Sequence, residues 1–214
     1  MQTEPHFTDR DDAGRRLALR LQSYAHTNAI VYALPRGGVV IGATIATTLH
    51  LPLDLIITRK IGHPINPEYA IGAVAEDGHF ISDPSSMVDV DNKWLRAEIE
   101  RQQSEAKRRR ETYLAHKPPR AVVDATAILV DDGIATGLTM RCAINELKHR
   151  NPRAIIVAIP VASPDSLALI RPLVDEIICL STPPTMGSIG AFYDMFPQVE
   201  DAEVIRLMQS IPSL

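Results

Sequence analysis

Two adjacent carboxylates, Asp131 and Asp132, follow an apolar run at residues 127–130. Such a run, rich in branched side chains, is typical of a buried parallel strand, so the two acids are expected at a strand end. Small residues and hydroxyls follow at 133–139, and residues 138–148 have helical spacing. A strand, a loop and a helix start in this order turn free backbone N–H groups toward an anion. Paired acids beside a phosphate-binding loop suit a ligand with both a diol and a phosphate, such as a ribose 5-phosphate.

The loop at 133–139 differs from a nucleotide-binding P-loop, because the chain has no G-x-x-x-x-G-K-[ST] sequence and this loop has no lysine. Gly137 lets the backbone approach a ligand closely, and Thr136 and Thr139 add hydroxyl donors. A plainer explanation is a strand with two solvated acids at its end, followed by an ordinary helix. The pattern of thirteen residues from 127 to 139 is more specific than a pair of acids, and it favours phosphate binding.

Two further groups could bind an anion. Arg36, Gly37 and Gly38 lie between a predicted strand at 29–34 and a predicted helix at 39–49, although a tight turn would also explain them. Arg59 and Lys60 follow a predicted second strand at 53–58, where two cations could be merely solvated. Glycines between a strand and a helix let the backbone approach an anion, and Arg and Lys side chains can bind the same anion.

The run I-L-V-D-D-G-I-A-T-G-L-T-M, at 128–140, resembles the phosphoribosyl-pyrophosphate (PRPP) motif of the type I phosphoribosyltransferases. The sequences R-K-I-G-H-P at 59–64 and A-I-G-A-V-A-E-D-G at 70–78 are similar to a bacterial group of predicted phosphoribosyltransferases whose acceptors are unassigned. The resemblance implies a Mg²⁺-dependent enzyme that transfers the 5-phosphoribosyl group of PRPP to a nitrogenous base or another amine, with release of pyrophosphate. An alternative within the same fold is a non-catalytic regulator that binds PRPP or a nucleotide.

The resemblance also implies a role for each motif. Asp131 and Asp132 would hold the ribose hydroxyls and Mg²⁺, and Arg36 would take part in catalysis at a Pro35–Arg36 peptide that is cis in the family. The diphosphate would be bound by Arg36 with Gly37, Gly38, Arg59 and Lys60. The 5-phosphate would be bound by the loop residues Gly133, Ile134, Ala135, Thr136, Gly137, Leu138 and Thr139.

The resemblance places a hood over the base at residues 181–199, called the hood segment below, and a mobile lid at 61–69. Gly190 to Asp194 fits a G-x-x-x-D sequence of hypoxanthine-guanine enzymes, which implies Asp194 near a second Mg²⁺. The usual stacking aromatic is absent, so Phe192 or Tyr193 would stack on the base instead. Hypoxanthine-guanine enzymes carry an acid where this chain has Ala135, so the general base must lie elsewhere, and Glu68 is the candidate.

Alternating strands and helices predict an α/β fold, with a doubly wound, mainly parallel sheet flanked by helices and a small hood and hairpin subdomain. We expect one domain over 1–214, with an insertion at 61–119 that contains the lid, a hairpin at 70–82 and a long helix at 92–117. Thr8 is the expected N-cap of a first helix. The arginines of that helix, including Arg10, and the basic run at 107–110 are interpreted as solvated faces.

Composition limits the function classes. The net charge of -4 gives no bias toward nucleic acid or membranes, and no apolar run is long enough for a membrane span. Residues 1–12 are polar rather than like a signal peptide, and Cys142 and Cys179 lie in apolar elements, which indicates reduced thiols in the cytoplasm. The expected partners are PRPP and an unidentified acceptor base, with a homodimer as one option. No cluster of metal ligands or nucleophiles supports a phosphohydrolase.

Overall fold

The computed structural model describes residues 6–115 and 117–211. Part of the predicted polar N-terminus, residues 1–5, lies outside these ranges. The helices are α1 (Arg10–Arg20), α2 (Gly37–Leu49), α3 (Asn92–Leu114), α4 (Leu138–His149), α5 (Pro164–Ile170) and α6 (Asp201–Ser210). The strands are β1 (Ala29–Ala33), β2 (Leu53–Leu55), β3 (Thr58–Gly62), β4 (Ala70–Ala75), β5 (Phe80–Ser82), β6 (Thr126–Val130), β7 (Ala154–Val161) and β8 (Glu176–Ser181). Short 3₁₀ turns lie at Gln22–Tyr24, Pro84–Met87, Arg171–Leu173 and Ile189–Phe192.

Five strands form one parallel sheet in the order β2-β1-β6-β7-β8. The strand order reverses beside β1, and its last residue, Ala33, pairs with Val130 at the end of β6. The loops that follow β1 and β6 therefore leave the sheet side by side at its carboxyl edge, where α/β sheets bind ligands. The expected doubly wound α/β fold is confirmed.

Helices cover both faces of this sheet, because the side chains of β6 alternate. Ile128 and Val130 pack in the core beneath α1 and α2, whereas Ala127 and Leu129 pack against α4 and α5. Every residue of β6 is buried. Because successive side chains of this strand face two different apolar layers, residues 127–130 are all apolar. Because β6 ends at Val130, Asp131 is the first residue to leave the sheet at this edge.

The predicted hairpin is present, as part of a separate antiparallel sheet in the order β3-β4-β5. One face of this sheet packs on α3 through Ile61 and Ile71 with Leu95, and the other packs on α4 through Ala73 with Cys142. The small sheet is thus held between two helices. This arrangement places β3 beside the start of α4, and so beside the loop at 133–139.

Three predicted boundaries were wrong. The strand expected at 53–58 ends at Leu55, and Thr58 instead begins β3, which pairs with β4 in the small sheet. The first two residues of the expected lid also belong to β3, which leaves the loop at 63–69 between β3 and β4. The helix expected at 92–117 ends at Leu114, with a left-handed C-cap at Ala115.

The charged positions on two helices also differ from the expectation. Asp9, and not Thr8, caps α1, since its carboxylate accepts from the Asp12 N–H at 2.8 Å. Arg110 is buried instead of solvated: it bonds the Leu55 carbonyl at 2.9 Å and Asp54 Oδ1 at 3.0 Å. Buried arginines are rare unless they are paired. This one joins α3 to the edge of the main sheet.

Candidate phosphoribosyl-binding site

The carboxyl edge of β1 and β6 carries a cavity of about 230 Å³. Its walls come from the two loops after these strands, from β3 and from the hood segment. They comprise Leu34, Pro35, Thr58, Lys60, Asp131, Asp132, Gly133, Ile134, Ala135, Thr136, Gly137, Thr139 and Ile189. Most of the residues proposed from the sequence for the acidic pair and the phosphate loop therefore surround one space.

The acidic pair is held in a largely dry environment. The Asp131 carboxylate accepts a hydrogen bond from the Asp132 N–H at 2.8 Å, and Asp132 Oδ2 accepts one from Arg10 Nε at 2.9 Å. Burial raises the pKa of both carboxyls, and the charge of Asp132 raises that of Asp131 further. Arg10 opposes the rise in the pKa of Asp132. Two buried like charges with one close cation form a site that favours a further cation or hydrogen-bond donors, such as sugar hydroxyls.

The loop after the acidic pair is fixed at its base and open at its tip. The Ile134 N–H bonds the Val161 carbonyl at 2.9 Å, and the Ser166 hydroxyl donates to the Ala135 carbonyl at 2.5 Å. Thr136 is exposed beside Gly137, which has a φ of 77° and precedes α4 without any side-chain cap. The first N–H groups of α4 are therefore free to bind an anion.

The loop after β1 touches the acidic pair directly. The Pro35–Arg36 peptide is cis, as the family resemblance implied. Gly37 begins α2 so close to Asp132 that an added Cβ would overlap the carboxylate. At Gly38 an added Cβ would lie 2.9 Å from the Val130 carbonyl oxygen. Because neither position has room for a side chain, the two loops need glycine here to pack together.

The Arg36 side chain, which the resemblance assigned to the diphosphate, does not line the cleft that contains Thr136. It turns toward the acidic start of α6, with Nη1 3.5 Å from Asp201 Oδ1 and 3.8 Å from Glu200 Oε2. It lines an adjoining cavity of about 370 Å³ together with Arg10 and Gly37. The attraction of the two acids, which are distant in sequence, explains the orientation.

Of the two cations on β3, only Lys60 reaches the cleft. Side chains alternate along a strand, so Thr58 and Lys60 face the cleft while Arg59 faces α3. Arg59 Nε donates to Gln102 Oε1 at 3.0 Å, and burial lowers its pKa. The sequence prediction treated the two as a pair because it placed them beyond the end of a strand.

Three further candidates lie away from the cavity. Glu68 is exposed on the loop at 63–69 and makes no hydrogen bond with another residue of the described ranges. Asp194 is mostly exposed and pairs with His6 Nε2 at 2.8 Å. Phe192 is half-buried and packs against the main core. None of the three lines the cleft in this structure.

Tyr193 supports the acidic pair from behind instead of offering an open ring for stacking. Its side chain is buried between Phe7 and Phe196, with ring centroids 5.3 Å and 4.8 Å away. Its hydroxyl donates to the Asp132 carbonyl at 2.7 Å. The hood residue that does reach the cleft is Ile189, which lies over Gly133.

Sequence reasoning missed Arg10, which was interpreted as a solvated residue. Its side chain is 9% exposed, because it lies on the same helical stripe as the buried Ala13, Gly14 and Leu17. The spacing i, i+3, i+4, i+7 was the available signal. An arginine on an otherwise apolar stripe indicates a buried partner, here Asp132.

The residues present fit Mg²⁺ that arrives with a phosphate ligand. Within 6–115 and 117–211, no group of three or more His, Cys, Asp or Glu residues could hold a metal by itself. Mg²⁺ is usually bound by one or two carboxylates together with substrate phosphates and waters. The paired acids beside the two glycine-containing loops provide this kind of donor set, whereas the position of Asp194 does not.

A larger cavity lies elsewhere in the part of the chain that the structure describes. It has a volume of about 730 Å³, and its walls come from α3, from residues 117–123 and from the end of α4. Residues 117–123 lead into β6 and the end of α4 leads into β7, so this cavity lies at the amino ends of those strands. No helix within the described ranges is long and apolar enough to cross a membrane.

Known proteins of similar sequence share one description. A sequence profile of the phosphoribosyl transferase domain matches residues 10–187. A protein of Mycobacterium tuberculosis strain CDC 1551 / Oshkosh, provisionally named phosphoribosyl transferase, is 35% identical over 204 residues, which cover 94% of this chain and 46% of that protein. Its counterpart in strain ATCC 25618 / H37Rv gives the same values. The chain thus spans about half the length of these curated relatives.

A solved structure matches nearly the whole chain. The crystal structure of TT1426 from Thermus thermophilus has a TM-score of 0.81 at 36% identity, and the match covers 96% of this chain and 99% of that one. The profile match begins at Arg10 and includes the acidic pair and both loops. The chain belongs to the phosphoribosyl transferase domain family.

Proposed function

We propose that the chain binds PRPP and transfers its 5-phosphoribosyl group to a nitrogen acceptor, with release of pyrophosphate. The observation that carries this proposal is the meeting of three features where the loops after β1 and β6 leave the sheet. These are the acidic pair, the uncapped start of α4 and the glycines at the start of α2, which touch Asp132. A ligand with a phosphate, a diol and a diphosphate would engage all three.

The geometry suggests a role for each part. Asp131 and Asp132 accept hydrogen bonds from the ribose hydroxyls, and the N–H groups at 136–139 bind the 5-phosphate. The N–H groups of Gly37 and Gly38 bind the diphosphate, with Lys60 as the nearby cation. Mg²⁺ bound with PRPP would supply positive charge to the leaving diphosphate. Arg36 would contribute its backbone in this arrangement, since its side chain faces α6.

The reaction needs positioning and charge stabilisation more than covalent catalysis. The bond from the anomeric carbon to the diphosphate oxygen breaks, and pyrophosphate leaves with its electron pair. The acceptor nitrogen forms the new bond to that carbon and then loses a proton to water or to a base. Ile134 and Ile189 provide apolar surface near the cleft, which would help exclude water from an oxocarbenium-like centre.

The loop at 63–69 is the proposed lid. Its side chains are mostly exposed, with Ile65 at 86%, and it connects β3, which carries Lys60, with β4. A closed loop would bring Glu68 nearer to the acceptor, where it could accept the proton.

We place the protein in the cytoplasm, because Cys142 and Cys179 are both free thiols.

Calorimetric titration with PRPP and Mg²⁺ tests the site. Asp131→Asn with Asp132→Asn should weaken binding, by about tenfold or more for each charged hydrogen bond that is lost. Asp165→Asn is the matched control, because this acid lies in the first turn of the neighbouring helix α5 and is exposed. Equal affinity of the acidic-pair variant and the control for PRPP would refute the assignment.

A non-catalytic PRPP-binding regulator is the second candidate. One observation favours it: the described residues that line the cleft include no acid beyond the pair itself, and Ala135 stands where a base could act. Incubation with labelled PRPP and a panel of bases and amines separates the two. Pyrophosphate released only with an acceptor supports the transferase. Tight PRPP binding without turnover across the panel supports the regulator.

A further inference from the structure

We propose that Arg10 is a positioning residue of the phosphoribosyl site, which holds the Asp132 carboxylate in place and couples it to the hood segment. The inference rests on the proposed function for the role of Asp132, but the coupling itself can be tested without any ligand. Arg10 belongs to α1, which is separated from the acidic pair by more than a hundred residues of sequence.

Three contacts fix the Arg10 side chain. Nε donates to Asp132 Oδ2 at 2.9 Å, Nη1 donates to the Pro197 carbonyl at 2.8 Å, and the guanidinium carbon lies 3.7 Å from the centroid of the Phe196 ring. The planar guanidinium can satisfy an acid, a carbonyl and an aromatic face at the same time, which a lysine cannot. One side chain therefore contacts both the acidic pair and the hood segment.

The surroundings give the contact little freedom. The side chains of Arg10 and Asp132 are 9% and 14% exposed, so water competes weakly for either charge. Gly37 lies against both, and an added Cβ there would be 3.0 Å from Arg10 Nε. The Asp132 carboxylate is thus confined between the start of α2 and α1.

The backbone of the hood segment is bound to the same unit. The N–H groups of Asp194 and Met195 donate to the carbonyls of Phe7 and Thr8, at 2.8 Å and 2.9 Å, just before α1 begins. Tyr193 holds the Asp132 carbonyl from the hood side. Movement of the hood segment and movement of Asp132 are consequently linked through Arg10 and Tyr193. This link would let closure over an acceptor act on the group that holds the ribose.

The first test is a double-mutant cycle on PRPP binding with Mg²⁺, measured by calorimetry. Arg10→Met should weaken binding about tenfold to a hundredfold in the wild-type background, the effect of losing a charge-assisted hydrogen bond. In the Asp132→Asn background the same change should cost less than about threefold, because the partner charge is already gone. Arg10→Lys should recover part of the loss. Arg15→Met, on the exposed side of α1, is the control and should bind PRPP normally.

The second test is hydrogen exchange of the free protein. Without ligand, Arg10→Met should accelerate exchange at 192–195 relative to wild type and to Arg15→Met. If Arg10→Met does not fold, Arg10→Lys takes its place, since it keeps the charge but cannot make both polar contacts.

Three outcomes decide the matter. Equal losses from Arg10→Met in both backgrounds would overturn the action through Asp132. Unchanged exchange at 192–195 would overturn the coupling to the hood. A wild-type protein that binds no PRPP would refute the proposed function instead, and the exchange result would still decide whether Arg10 couples Asp132 to the hood.

Discussion

Glu146→Gln should change how the stability of this protein depends on pH. Glu146 lies on α4 with a fully buried side chain, paired with Arg150, which also lies 3.4 Å from Glu76. Burial raises its pKa from 4.5 to about 8, the charges of Glu76 and Asp77 add to the rise, and Arg150 opposes it. In the folded protein this carboxyl therefore stays protonated through neutral pH.

The sign and size of the effect follow from linkage. Above pH 4.5 the unfolded chain ionises Glu146, but the folded protein retains the proton up to a pH of about 8. The folded state then binds more protons, so the free energy of unfolding falls as pH rises across this interval. The rise in the pKa of Glu146 from 4.5 to about 8 corresponds to a loss of about 5 kcal/mol at most. Glutamine has no titratable proton, so the free energy of unfolding of the variant does not decline with pH in this way.

Urea unfolding followed by circular dichroism at pH 5, 7 and 9 measures the effect. Glu146→Gln should match wild type within about 1 kcal/mol at pH 5, where Glu146 is neutral, and should exceed it by several kcal/mol at pH 9. Glu105→Gln is the control. The pKa of Glu105 is lowered to about 2 by Arg108 and Arg109, so its contribution changes only at acid pH. If the free energy of unfolding changed with pH by the same amount in wild type and in Glu146→Gln, the reasoning would be refuted.

Three other changes test the site and its frame. Gly37→Ala should lower PRPP affinity at least about tenfold in calorimetry, because the new methyl group displaces the Asp132 carboxylate. Arg110→Met should lower the free energy of unfolding in urea by about 3–5 kcal/mol, since it removes the buried guanidinium that pairs with Asp54 on β2. Shortening the loop at 63–69 should lower the transfer rate more than PRPP affinity in paired rate and binding assays, because closure follows binding.

Matched variants control these tests. Gly187→Ala adds a methyl group where no heavy atom lies within 4 Å, so its PRPP affinity should equal that of wild type. Arg108→Met removes an exposed arginine from the same helix as Arg110, and its urea midpoint should not move. Gly37→Ala with wild-type affinity would mean that Asp132 is free to move. Equal losses of rate and affinity from the shortened loop would make that loop only a connector.

The local elements were largely predictable because their signals are local. For the apolar run at 127–130 and for the two glycines after β1, the neighbouring residues in sequence were enough to predict a buried strand and a loop leading into a helix. The short β2 was not predictable from its residues. Ile56 and Ile57 extend the apolar run, yet the chain leaves the main sheet after Leu55. A buried apolar run has the same sequence pattern whether its residues pair within one sheet or connect two sheets.

The sequence by itself determined the parallel α/β fold, the acidic pair at a strand end and the two glycine-containing loops, because periodicity and backbone chemistry act over a few residues. Only the tertiary structure decided which charged side chains meet. Arg10 reaches Asp132, Arg36 turns toward Asp201, and Arg110 is buried against β2. Each of these pairs joins elements more than fifty residues apart, and a long side chain takes its direction from the burial of its helix and the nearest opposite charge. Local spacing can indicate a buried helical stripe, as it does for Arg10, but it does not identify the opposite charge that the side chain meets.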